Sequence, residues 1–224
     1  TQLVYNDIKS VKTVGVIGED RLRGIVEIAQ PMGPVLAIVP VTNPTSTVFF
    51  KTLIALKTRN PLIISPSGKA RKCCVEAARI CYEAALAQDA PEDCIQCLES
   101  TSHEQTQELM SHKSLALILA TGGTSLVKAA YSSGTPAIGV GAGNVPVYVE
   151  ATADVAFCVR QIVFSKTFDY GTICASEQAV VVERCLSEAL IAEFKANKAY
   201  FLTRDEIPKL EAVVLDEKRA RMNP

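Results

Sequence analysis

Residues 115–141 read LALILATGGTSLVKAAYSSGTPAIGVG. A short apolar run, LALIL, meets a glycine turn, TGG. A helix-period segment, TSLVKAAYSS, follows, and PAIGVG is a second apolar run. Strand, turn, helix and strand in that order predict a βαβ unit, whose two strands lie parallel across a right-handed crossover. Strands buried on both faces read as continuous apolar runs rather than alternating ones. The rhythm extends backward to Pro34. PVLAIVP is a strand, and NPTSTVFFKTLIALKTRN is a helix with Thr42 or Asn43 at its start. PLIISP and CIQCLES are strands, and KARKCCVEAARICYEAALAQ and HEQTQELMSH are helices. Residues 34–148 therefore predict an α/β fold, a Rossmann-like parallel sheet of about five strands covered on both faces.

Before this segment, TVGVIGEDRLRGIVEIAQP places two β-rich runs around a charged turn, so residues 1–33 are a hairpin region. After GVGAGNVPVYVEATAD the pattern restarts. A helix spans about 154–166, QAVVVE is a strand, and LSEALIAEFKANK and DEIPKLEAVVLDE are helices. Residues 149–224 read as the start of a second α/β domain, ending at RARMNP without the closing strands a parallel sheet needs. EKRAR, residues 217–221, reads as a solvated helix face.

The chain has 224 residues and a formal net charge of −1, with charges of both signs interspersed. No basic stripe is present, which argues against nucleic acid as a partner. No apolar run approaches the roughly 20 residues that cross a bilayer, so no membrane role is expected. The opening TQLVYNDIKSVK lacks the charged and apolar regions of a signal peptide. Eight cysteines over 224 residues are far from the density of a secreted disulfide scaffold. Cys73, Ala77, Cys81 and Ala84 recur at helical spacing and predict a buried face of core thiols in a reducing cytosol. CIQC at 94–97 has redox or zinc spacing but no second pair, so a strand with two packed cysteines is expected. His103 and His112 are the only histidines and lack nearby acidic partners, so no metal site is expected.

Cys174 is set differently, in SKTFDYGTICASEQ. Gly171 stands three residues before it and lets the backbone turn tightly. A thiol on a loop or helix start, near backbone N–H groups, is a candidate nucleophile, although a lone cysteine in an apolar protein also packs structurally. Asn43 follows a sheet strand, where a side-chain amide either caps the next helix or donates to a developing oxyanion. Thr121, Gly122 and Gly123 join a strand to a helix. They form a pyrophosphate turn or simply a tight turn, because the pattern is not G-x-G-x-x-G. Glu177 is close to Cys174 in sequence and suggests a base, against the reading of a structural hydrogen bond. Asp169 is a candidate to orient the loop.

Four stretches together, IVPVTNPTST, FKTLIALKTRN, LILATGGTSLVKAAYSSGTPAIGVGAGNVPV and SKTFDYGTICASEQ, resemble the aldehyde dehydrogenase superfamily. The resemblance covers essentially the whole chain and points to the CoA-acylating branch found in bifunctional aldehyde–alcohol dehydrogenases. It implies Cys174 as the nucleophile and Asn43, with the Cys174 N–H, as the oxyanion hole. It implies Thr121, Gly122 and Gly123 as the dinucleotide-phosphate turn. It places Ser65 and Pro66 at the strand end that meets the adenosine ribose, although a lysine common there is absent, which leaves Ser65 and Ser67 in doubt. Hydrolytic members carry a water-activating glutamate at the position that is Val140 here. The implied reaction interconverts a short aldehyde, CoA and NAD+ with acyl-CoA and NADH in the cytoplasm. A hydrolytic enzyme, or an inactive scaffold module, stays open as an alternative. Family members are much longer, so the chain is expected to be a fragment or a degenerate relative. Its full-length parent is implied to be a homo-oligomer, with fusion to an iron-dependent alcohol dehydrogenase domain a feature of the branch.

Overall fold

Val35–Val39 is apolar at every position, and in the computed structural model every position is buried. The structure describes residues 2–100, 102–141, 143–216 and 221–222. Their contacts divide the chain into two units, one running to Gly143 and the other beginning at Asn144.

The first unit opens with a helix that the sequence pattern did not announce, α1 (Gln2–Ile8). The expected hairpin follows as antiparallel β1 (Gly15–Asp20) and β2 (Ile25–Ala29). Next come β3 (Val35–Val39), α2 (Pro44–Lys57), β4 (Leu62–Pro66) and α3 (Arg71–Leu86). The unit ends with β5 (Ile95–Cys97), α4 (His103–Met110), β6 (Leu117–Thr121), α5 (Thr124–Tyr131) and β7 (Ala137–Val140). The five strands from β3 to β7 pair in parallel in the order β5-β4-β3-β6-β7. The chain thus starts in the middle, winds to one edge, returns and winds to the other.

Alternation along β3 sorts the core into two layers. Val35, Ala37 and Val39 pack with Val48 and Ala55 of α2 and Cys74, Ala77 and Ala78 of α3. Leu36 and Ile38 pack on the other face with Met110, Ile118 and Ala130. Fully burying each of these larger side chains contributes about 1.5–3 kcal/mol. The α3 face departs from the expected one. Cys74, Ala77, Ala78 and Ala85 are buried, whereas Cys73 and Ala84 are exposed. Ala77 belongs to the expected face and Cys81 packs partly buried on the same core, so the observed stripe overlaps the expected one and turns toward Cys74, Ala78 and Ala85. Cys94 is buried and Cys97 partly so, on an edge strand, and all the cysteines are unpaired.

Lys51 lies on the buried stripe of α2, between Val48 and Ala55, and is only 3% exposed. Its Nζ donates to the carbonyls of Ile38 and Leu119, both at 2.7 Å, and so ties α2 to the β3 and β6 backbones. Burial pulls its ammonium from 10.5 down to about 7. A neutral amine keeps two N–H donors, enough for both carbonyls. Between pH 7 and 10.5 the folded lysine is neutral while the unfolded one is charged. Unfolding in that window takes up a proton, so stability rises with pH, by at most about 1.4 kcal/mol per unit. The penalty is carried in full below the folded value and is gone above the unfolded one. Denaturant unfolding at pH 7.5 and 9.5 should therefore differ by about 2 kcal/mol more in the wild type than in Lys51→Met. Parallel profiles for the two proteins would count against the assignment.

The second unit holds β8 (Pro146–Val149), α6 (Val155–Thr167), β9 (Ala179–Val182), α7 (Ser187–Ala196) and α8 (Ile207–Val214). β10 (Leu215–Asp216) and β11 (Arg221–Met222) form a short antiparallel ribbon. β8 pairs in parallel with β9 rather than with the large sheet. For that reason the second unit begins at Asn144 and not at the expected 149. Asp154 caps α6 by accepting from the Phe157 N–H at 2.9 Å, and Val149, Val159 and Leu190 form the core. Of the expected helix face 217–221, residues 217–220 lie outside the described residues and Arg221 belongs to β11.

Candidate active site

In an open parallel sheet the crevice lies at the carboxyl ends of the strands, where the strand order reverses. Here the reversal falls between β3 and β6. The segments leaving those two strands begin with the predicted residues Asn43 and Thr121–Gly123, and neighbouring β4 ends at Ser65 and Pro66. The carboxyl end of the sheet therefore gathers Asn43, Ser65, Pro66 and Thr121–Gly123, the first-unit residues given catalytic or cofactor roles by the resemblance.

Asn43 occupies the N-cap position of α2, with Pro44 at the first helical turn, but its side chain makes no cap hydrogen bond. Its Oδ1 instead accepts from the Thr42 hydroxyl at 3.1 Å. Its backbone carbonyl accepts from the Thr47 hydroxyl at 2.7 Å and the Thr47 N–H at 3.2 Å. The side-chain oxygen is thus occupied, while the Nδ2 donors have no partner among the described residues. The capping alternative is not what the side chain does.

Gly122 donates its N–H to the Val140 carbonyl at 3.1 Å, and a Cβ on it would meet Leu126 Cδ2 at 2.5 Å. Gly123 is the N-cap of α5, and a Cβ there would meet nothing within 4 Å. No side chain caps α5, which leaves its first N–H groups without a side-chain acceptor, an arrangement that suits a phosphate. Ser65 and Pro66 are buried, with Ser65 3% exposed. Ser67 is the first partly exposed residue beyond the strand, and its N–H donates to the Val39 carbonyl at 3.1 Å.

In the second unit, α6 leads into the segment that carries Cys174. Asp169, Tyr170 and Gly171 have φ of +49°, +55° and +69°. Two consecutive non-glycine residues in the left-handed region cost about 1–3 kcal/mol each. Gly171 could carry no side chain, because a Cβ would sit 2.9 Å from the Lys166 carbonyl. The reversed chain is braced on both sides of the thiol. Before it, the Thr172 hydroxyl donates to the Asp169 carbonyl at 2.7 Å and to its carboxylate at 2.8 Å. After it, the buried Ser176 hydroxyl donates to the Ile173 carbonyl at 3.0 Å and accepts from Lys166 Nζ at 3.2 Å. Asp169 thus orients the loop. Cys174 stands exposed on the turn, with no helix following it. Its N–H donates to no group among the described residues. Beside it lies a cavity of about 230 Å³ lined by Phe164, Ser165, Phe168, Ile173, Ala175 and Ser176. Sequence reading gave no signal for this cavity, because its apolar side chains look like any helix face.

Val140 ends β7 with its side chain half exposed and no carboxylate on that strand. Glu177 does not form the structural hydrogen bond expected of it. Its Oε2 is buried, and no donor among the described residues reaches it. His103 and His112 are both exposed.

The family model described as "Aldehyde dehydrogenase family" matches residues 7–209. The chain belongs to the aldehyde dehydrogenase family. Aldehyde-alcohol dehydrogenase 2 of Entamoeba histolytica is 48% identical over 99% of this chain and 26% of its own length. A solved acetylating aldehyde dehydrogenase of Geobacillus thermoglucosidasius is 53% identical, with a TM-score of 0.88 over 97% of this chain and 48% of that one. A propionaldehyde dehydrogenase of Rhodopseudomonas palustris, solved with CoA bound and its cysteine acylated, is 33% identical with a TM-score of 0.77. That match covers 84% of this chain and 43% of that one. The chain thus spans about a quarter of the Entamoeba aldehyde-alcohol dehydrogenase and about half of the acylating aldehyde dehydrogenase structures. No helix among the described residues is long and apolar enough to cross a membrane.

Proposed function

We propose that the protein carrying this chain is an NAD-dependent, CoA-acylating aldehyde dehydrogenase acting on a short aldehyde such as acetaldehyde. The observation that carries the reading is Cys174, exposed on a turn braced from both sides, in a chain whose β7 ends in Val140 instead of a carboxylate. In this reading the Cys174 thiolate attacks the aldehyde carbonyl. The oxyanion is held by the Asn43 amide and the Cys174 N–H, donors that have no partner among the described residues. NAD+, when bound, accepts the hydride, and Thr121, Gly122, Gly123, Ser65 and Pro66 are the residues that would hold it. The open space above Gly123 and the uncapped start of α5 suit its pyrophosphate, whereas the burial of Ser65 limits what that residue contacts directly. Loss of hydride leaves the acyl group on Cys174 as a thioester. Valine cannot take a proton from water, so a thiol acceptor is favoured over hydrolysis. The CoA-bound, acylated relative supports that acceptor. In reverse, acyl-CoA acylates Cys174 with loss of CoA, and release of the acyl group as aldehyde takes up a hydride that NADH would supply.

The apolar side chains exposed on β1 and β2, among them Val16, Ile25, Val26 and Ile28, support an oligomer in the full-length protein. The unpaired cysteines support a reducing cytoplasm. The deciding assay follows NADH formation from acetaldehyde and NAD+ by the full-length protein, with and without CoA. Steady turnover that requires CoA is the expected result. Equal turnover without CoA would mean that water deacylates the enzyme and would overturn the reading.

A further inference from the structure

We propose that Glu177 is the base that takes the proton from the acceptor thiol when the acyl group leaves Cys174; this rests on the acylating reading above. Three observations converge on it. The residue stands three positions after Cys174 on a segment fixed at both ends. Ser176 is held by Ile173 and Lys166, and the Gln178 N–H donates to the Val145 carbonyl at 2.9 Å. Its Oε2 is buried with no hydrogen-bond partner among the described residues, a state that costs about 1–3 kcal/mol and is uncommon in folded proteins. The other carboxylate of the loop and the amine beside it are engaged, Asp169 by Thr172 and Lys166 by Ser176. Among the described carboxylates of the loop, Glu177 is the one whose oxygen has nothing on it.

The chemistry requires such a group. An alkyl thiol loses its proton near pH 8.5, so only a few per cent is thiolate at neutral pH. Val140 supplies no base. In the step proposed, the acceptor S–H bond breaks and its proton moves to the Glu177 carboxylate. The sulfur forms a bond to the acyl carbon, the bond from that carbon to Cys174 Sγ breaks, and Cys174 departs as the thiolate. Nothing is oxidised or reduced. In reverse, protonated Glu177 returns the proton to the departing acceptor thiolate.

The test uses the full-length enzyme and Glu177→Gln, nearly the same size. Mixed with acetaldehyde and NAD+ but no CoA, wild type and variant should both give a burst of one NADH per site, because acylation does not use Glu177. With CoA, the variant's steady rate should fall about 100-fold or more. An aromatic thiol, already a thiolate at neutral pH, needs no base and should accept the acyl group from both proteins at equal rates. Glu177→Asp keeps a carboxylate and should recover part of the CoA rate. The proposal is overturned by wild-type transfer to CoA in Glu177→Gln, by an aromatic thiol that fails to restore it, or by an Asp variant no better than Gln. Loss of the burst along with turnover would also overturn it, since that marks a role in shaping the nucleophile loop. Wild-type turnover that ignores CoA is a separate result, and it removes the acylating reading itself.

Discussion

Full-length protein carrying Cys174→Ala should form NADH from aldehyde at least about ten-thousand-fold more slowly than wild type, because in the proposed mechanism Cys174 forms the covalent adduct from which hydride leaves. The same substitution should leave the fold untouched. Cys174 is exposed on a turn, and the hydrogen bonds that brace the turn come from Thr172, Ser176 and Lys166. Truncating an exposed side chain outside such bonds usually changes stability by less than about 0.5 kcal/mol. Paired measurement of turnover and melting temperature separates the two effects. Retained turnover would remove Cys174 from the chemistry.

Asn43→Ala should lower kcat about 100- to 1000-fold, the range for losing one oxyanion donor. The structure makes this a clean experiment. A capping asparagine replaced by alanine would destabilise the helix by about 1 kcal/mol, but Asn43 makes no cap bond to α2. What is lost is the Thr42 contact to Oδ1 and the two free Nδ2 donors. Asn43→Asp sharpens the test. Aspartate is as good a cap as asparagine, yet it presents oxygen where the donor stood and repels a developing oxyanion. The aspartate variant should therefore be at least as slow as alanine while melting at the wild-type temperature. An aspartate variant with near wild-type kcat would return Asn43 to a helix-start role.

The five parallel strands were legible because each is a short apolar run set between turn residues, and burial on both faces leaves little other use for such runs. β8 was not picked out. Its four residues, PVYV, follow a glycine–asparagine stretch and need β9 as a partner to count as a strand. The face of α3 was only partly placed because Ala77, Ala78, Ala84 and Ala85 provide two overlapping stripes, and only packing against the sheet chooses between them. Lys51 gave no signal of its own in the sequence. Its long stem threads the apolar layer to reach two carbonyls, a path that periodicity does not encode. In the candidate site, residue types and spacing raised Cys174, Asn43 and the Thr121–Gly123 turn only as candidates with open alternatives, and the resemblance of four stretches to the family implied their roles. The free donor on Asn43 and the unpartnered oxygen on Glu177 depend on which neighbours are absent, and sequence does not carry that information.

The two glycines after β6 would record different histories. A side chain at Gly122 would meet a terminal methyl of Leu126 and could enter only if that side chain shifted. Selection for a stable fold would preserve it even in a descendant that had given up its nucleotide. Gly123 faces open space, so the fold alone would let it drift to serine or alanine. Across diverging lineages, persistence at 122 therefore testifies to packing, and persistence at 123 is the more informative trace of a ligand still in use.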